Sequence, residues 1–418
     1  MKRFAILVGS VTLVALLANA CVGPAAGPGA YEVDKWVLQV QIPLTGGWAG
    51  YGVEGHWAVQ WCADEINANG GINGKPFELV VRNNQSDPDI AQAVMAEMLD
   101  ANPLAVSICD GDTQGFAIAP LIVDEEVMCI MPVTGTPSAS TAFPWSVSFL
   151  DWDENLNGPA EAEWLSRESD ITKVVPSFNV ESPSYHILAA SSMYYIQENS
   201  GVEIGDPVTY EQFRTTEYSG LAVSLLAQDD GHTGFKFSST GDPVAKMIIE
   251  MHKRGFDDNR RILIDNCADY PELFSLGEGY TDGCYLKTMY DVGYDGTRWV
   301  KIVADWYDTH DVEYGAYGIT FSTDMPLYFK MAVEATGVTG DPAKLEEERV
   351  ILQTWMRNQK AFPFITGAAD VNDGIRALPM YLNTIENNKK VLLTPVISDW
   401  DDPLVPWVDA STTELMGW

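Results

Sequence analysis

The sequence predicts an α/β protein whose sheets are parallel and whose chain divides into two domains. Three observations carry this: the length, the alternation of short β-rich runs with helical stretches, and a glycine-rich turn between the first strand and the first helix. A chain of 418 residues exceeds one ordinary hydrophobic core and fits two domains of roughly 150–200 residues each. Repeated strand–helix alternation is the pattern of βαβ units, which build parallel sheets.

The elements follow in order. Val37 to Ile42 is β-rich and stops at Pro43, which cannot donate to a central ladder. Gly46, Gly47, Gly50 and Gly52 then allow a sharp turn and a close approach of backbone to another group. Ala58, Trp61, Cys62, Glu65 and Ile66 recur at helical spacing, and Asn69-Gly70-Gly71 ends that helix with residues tolerant of positive φ. Phe77 to Val81 is the second strand, completing a βαβ unit. The alternation continues with helix 87–101, strand 104–109, helix 113–125 and strand 127–131, and Ser146–Leu150 leads into a second domain. There, a helix from Pro159, whose fixed φ suits a first turn, precedes strand 173–178, helix 185–199, strand 208–213 and helix 218–228. Strand 234–238, helix 242–254 and strands 261–265 and 283–288 complete it, and helices 324–336 and 343–358 return the chain to the first domain. A strand pair, 378–385 and 391–395, closes the second.

Hydrophobic residues make up 46% of the chain, enough for a folded interior despite a formal charge of −34 from 59 acidic and 25 basic residues. Such a surface repels nucleic acid and anionic membranes, excluding both as partners. It suits a soluble exported protein, or one that attracts cationic ligands. Lys2-Arg3, the apolar stretch 4–17 and Ala18-Asn19-Ala20 read as a signal peptide over residues 1–20. Cys21 follows at the position of a lipoprotein anchor, although Ala18 stands where a lipobox prefers Leu, and residues 21–30 form a Gly/Pro/Ala linker. No other run approaches the ~20 apolar residues of a spanning helix. The expected location is therefore outside the cytoplasm, periplasmic or at the cell surface, with membrane contact only through the anchor. Five further cysteines show no CxxC spacing, so zinc or redox chemistry has no support and their pairing stays open.

The run from Ile42 to Pro88, and DEINANGGINGKPFELVV within it, resembles the signature of type I periplasmic solute-binding proteins, the Leu/Ile/Val-binding branch that serves ABC transporters. The resemblance extends over 37–395. It implies two Rossmann-like lobes joined by three crossings with a ligand cleft between them, lobe 1 comprising 31–147 and 291–365, lobe 2 comprising 148–290 and 366–395. The tail 396–418 has no counterpart. Ligands of open α/β sheets bind beyond the carboxyl ends of the strands, which directs attention to the loops there.

In the first loop, Trp48 and Tyr51 are flanked by glycines, and the family packs an aromatic over its ligand near Tyr51. In the second, Asp110 stands where amino-acid-binding relatives carry the Ser that holds the ligand carboxylate, with Asp112 two residues on. Paired acids oppose a carboxylate and suit an ammonium, amide or hydroxyl group; equally, Asp110 could cap the helix beginning near Thr113. In the third, Thr134 and Thr136 flank Gly135, which replaces the family Thr. From the second lobe, Tyr185 falls on a tyrosine that closes over ligand, Asp242 near another aromatic position, and Asn266 where a Glu neutralises the ligand ammonium. The implied function is capture of a small polar solute by lobe closure and delivery to the permease of an ABC importer, without cofactor, metal or catalytic residues. The runner-up is a ligand-sensing module of the same fold. Hydrolysis by Asp110/Asp112 or Asp151/Asp153 is disfavoured: five scattered histidines and no G-x-S-x-G or H-E-x-x-H motif accompany them. Asp153-x-Asn155-x-Asn157 opens like a calcium loop but meets Trp164 where its Glu belongs.

Overall fold

The computed structural model describes residues 33–150, 154–310, 317–377 and 380–396. The signal segment, Cys21, Asp151, Asp153 and the tail beyond 396 lie outside these residues. The first sheet begins with β1 (Trp36–Ile42), β2 (Phe77–Asn83), β3 (Ala105–Ile108), β4 (Met128–Gly135) and β5 (Ser146–Leu150). They are linked by α1 (Ala49–Ala68), α2 (Pro88–Asp100), α3 (Asp112–Asp124) and the short α4 (Thr136–Ala139). The second sheet takes β6 (Lys173–Asn179), β7 (Glu203–Ile204), β8 (Val208–Tyr210), β9 (Thr233–Ser238), β10 (Ile262–Ile264) and β11 (Tyr285–Thr288). Its helices are α5 (Glu154–Arg167), α6 (Pro183–Ser200), α7 (Ser219–Leu226), α8 (Gly241–His252) and α9 (Pro271–Gly277). The chain then returns to the first body through α10 (Thr297–His310), α11 (Tyr317–Ser322), α12 (Asp324–Thr336), α13 (Leu345–Met356) and the strands β12 (Gln359–Phe364), β13 (Gly367–Asn372) and β14 (Ile375–Arg376). It ends in the second sheet with β15 (Met380–Glu386) and β16 (Lys389–Val396).

Strand order is β12-β13-β14-β5-β4-β3-β1-β2 in the first sheet and β16-β15-β11-β10-β9-β6-β7 in the second, where β8 also pairs with β6. The central ladders are parallel, and antiparallel pairing is confined to β12–β13–β14 and to β15 and β16. The predicted α/β architecture is therefore present, with three passages of the chain between the sheets. In each sheet the order reverses once, between β1 and β3 and between β6 and β9. These are the switch points at which helices leave on opposite faces and open a crevice at the strand ends.

Several expectations on elements differ from the structure. Strands β13 and β14 belong to the first sheet, β14 pairing parallel to β5 at Ile375↔Ser148, so the last crossing falls after Arg376 rather than at 366. Short polar strands of a β-meander carry little hydrophobic alternation, and only their tertiary pairing places them. Helix α10 was not foreseen; its Trp299, Ile302 and Trp306 face Ala58 and Ile319 in a small apolar cluster. All five described cysteines are free and buried, and among the described residues no helix is long and apolar enough to cross a membrane.

Candidate functional site

The switch points of the two sheets face each other, and the loops that leave them supply the cleft. After β1 the backbone of Gly46 runs at φ +94° with the Gln85 carbonyl where a Cβ would go, and at Gly52 a Cβ would strike the Pro43 carbonyl. Glycine at both positions lets the turn fold flat onto its neighbours and aims Trp48 across the cleft. The Trp48 N–H donates to Ser86 Oγ at 3.0 Å, fixing the turn against the loop after β2. The indole then meets side chains of the second body: Phe213 edge-on at 4.9 Å between ring centroids and Tyr185 at 6.0 Å. Tyr51 lies 6.4 Å from it on the same side.

Two connected cavities result. The outer, about 350 Å³, is lined by Trp48, Tyr51, Phe213, Asp242, Tyr270 and Glu272 among others. The inner, about 30 Å³, lies between Trp48, Tyr51, Asp112, Ser182, Tyr185 and Tyr270. The inner space is small because aromatic rings from both bodies meet across the cleft.

Beneath the rings lie buried acids. Asp110, fully buried at the end of β3, accepts from the Tyr51 hydroxyl and from the Gly111 N–H at 2.7 Å through Oδ1. The neighbouring Asn84 amide reaches Gln41 Oε1 at 3.4 Å and also donates toward Asp110. Burial pushes the Asp110 carboxyl up to about 7, against the hydrogen bonds of Tyr51 and Gly111. Asp112, in the first turn of α3, accepts from the Ser138 hydroxyl and is raised by burial to about 6. The cap of α3 is Gly111, without a side-chain bond, so Asp110 is not the helix cap that the spacing allowed. Glu54 of α1 is buried too; its Oε2 accepts from the Gly318 N–H at 2.9 Å, and burial raises it to about 8, with Asp269 and Glu272 adding to the rise.

The remaining sequence candidates divide. Thr134 is buried, and its hydroxyl donates to the Asp110 carbonyl at 2.7 Å, which makes it a brace for the acid loop rather than a lining residue. The side chain of Thr136 lies outside the described residues. Asp242 lines the outer cavity and pairs with Lys246 at 2.8 Å, both partly exposed. Asn266 is buried, neither amide atom has a hydrogen-bond partner, and it lines neither cavity. Sequence reasoning missed Phe213, Tyr270, Ser182, Ser184 and Glu272. Tyr270 and Ser182 lie in loops after β10 and β6, so the rule that ligands sit beyond strand ends could have found them. Phe213 was read as the end of a strand that in fact stops at Tyr210.

A family profile described as "periplasmic binding protein" matches residues 40–389. The chain belongs to that family. Membership places it outside the cytoplasm. Among solved structures, the leucine-binding protein LivK of Thermotoga maritima superposes with a TM-score of 0.73 at 19% identity, covering 86% of this chain and 98% of its own. The branched-chain amino acid transporter substrate-binding protein LivJ of Streptococcus pneumoniae, in complex with isoleucine, gives 0.72 at 17%, with 85% and 97% covered. A solute-binding protein of an ABC transporter from Rhodopseudomonas palustris, in complex with 3,4-dihydroxybenzoic acid, gives 0.72 at 15%, with 88% and 99% covered. At these identities the likeness establishes the fold. Comparison with curated protein sequences finds no significant match.

Proposed function

We propose that this periplasmic binding protein captures a small polar solute between its lobes and presents the closed complex to an ABC importer, performing no covalent chemistry. One observation carries the reading: Trp48 and Tyr51 from the first body meet Tyr185, Phe213 and Tyr270 from the second around a cleft between both switch points. A ligand there touches both lobes, and only contacts made in the closed state can shift the equilibrium toward closure. Trp48, Tyr51 and Tyr185 are the residues that would clasp it, with Asp112 below and Asp242 at the mouth. Neighbouring structures hold isoleucine or dihydroxybenzoic acid; a fold that takes such different solutes leaves the choice to side chains.

Export with a lipid tether at Cys21 completes the proposal: Cys21→Ala should move the protein from the membrane to the soluble fraction. The functional test is a thermal-shift screen of the purified protein against amino acids, amides, polyols, amines and aromatic acids. A ligand that binds only the native state must raise Tm, and a compact shift in small-angle scattering should accompany it. No shift with any class would end this reading.

A further inference from the structure

We infer that the solute is an organic cation, an amine or quaternary ammonium compound, rather than an α-amino acid or carboxylate. The inference rests on the solute-binding reading and narrows it. Among the described residues lining the two cavities there is no Lys, Arg or His, whereas Asp112 floors the inner space and Asp242 and Glu272 flank the outer one. Lys246 offsets Asp242 alone, at 2.8 Å. Behind Tyr51, Asp110 is fully buried and is held only by neutral donors, with no cation against it. A carboxylate placed against this floor would meet acids and no compensating cation, a repulsion strengthened by burial.

The walls point the same way. Trp48, Tyr51 and Tyr270 border both cavities, with Tyr185 and Phe213 closing the ring around Trp48. Aromatic faces are the negative ends of ring quadrupoles and attract a desolvated cation. Clusters of aromatic side chains beside acids are the chemistry that recognises quaternary ammonium groups. The net charge of −34 adds long-range attraction of cations toward the protein. Burial raises Asp110 to about 7 and Asp112 to about 6, so Asp112 is largely ionised at neutral pH, and a bound ammonium would supply a counter-charge to both carboxyls.

The test is calorimetric titration of the purified protein with choline, tetramethylammonium and spermidine. These are set against the uncharged carbon isostere of choline, leucine and dihydroxybenzoate. At least one cation should bind at least ten times more tightly than the isostere, and the two carboxylates should not bind. Asp112→Asn should remove most of that preference while the variant still melts cooperatively. Should that variant fail to fold, the exposed Glu272→Gln should still weaken cation binding several-fold. Equal binding of choline and its isostere, or binding of leucine or dihydroxybenzoate alone, would overturn the cation inference and leave solute capture standing. Silence toward every class, cations included, would overturn both.

Discussion

Buried carboxylates in the two halves of this molecule behave in opposite ways. In the second body, Glu161, Lys236, Asp265 and Lys287 form a fully buried quartet. Lys236 lies 2.6 Å from Asp265, and Lys287 lies 2.5 Å from Asp265 and 2.7 Å from Glu161. Desolvation works against Asp265, but the two lysines overcome it and hold the carboxyl below its usual value. In the first body, Asp110, Asp112 and Glu54 are equally buried but accept hydrogen bonds only from neutral donors, and burial raises all three, with Lys390 offsetting Glu54 only in part. Charge is balanced where the fold must hold itself together and left unbalanced where the cleft opens. Strongly perturbed acids in a cleft are candidates for a functional role.

The largest effect that would break this contrast lies in the quartet. Asp265→Asn leaves two buried lysines with the single carboxylate of Glu161 and should cost about 3–5 kcal/mol of stability by denaturant titration, with cleft affinity unchanged in the folded fraction. An unaltered midpoint would mean the quartet does not hold the second body.

The next concerns pH. Asp110 keeps its proton in the folded state up to about 7, whereas unfolded it releases it near 3.8. Stability should therefore fall as pH rises from about 4 to about 7, by about 4 kcal/mol for this group alone. Asp112 adds to the fall up to about 6 and Glu54 up to about 8. Asp110→Asn should flatten the profile of unfolding midpoint against pH; a profile as steep as the parent's would show that the carboxyl is ionised in place.

Tyr185→Ala should weaken solute binding by about 1–3 kcal/mol, read by titration calorimetry, because it removes the ring that faces Trp48 across the cleft. An unchanged affinity would move the site away from the switch points. The smallest change is expected from Lys246→Ala. Its pair with Asp242 is partly exposed and contributes at most about 1 kcal/mol to stability. The same substitution unmasks Asp242 and should tighten a cationic solute slightly, sharpening the contrast between paired and unpaired acids.

Much of this was legible in the residues. The βα rhythm of the first half, the glycine turn and Trp48, Tyr51, Asp110, Asp112 and Tyr185 all came from local pattern and family resemblance. Helix 324–336 was placed to the residue. What escaped has a common cause. Phe213 and Tyr270 matter through what they face, β13 and β14 through the edge they join, and the quartet through contacts among β9, β10, β11 and α5.

By itself the sequence determined the two α/β bodies, their parallel ladders and the loops at the strand ends, since periodicity, glycine and proline act on nearest neighbours along the chain. Only the tertiary structure decided that the two switch points oppose each other, that aromatic rings from both bodies close one chamber, and which buried acids have cations beside them. Burial and charge compensation are properties of neighbours in space, and residues such as Asp265 and Lys287 find each other only when strands distant in sequence are laid side by side.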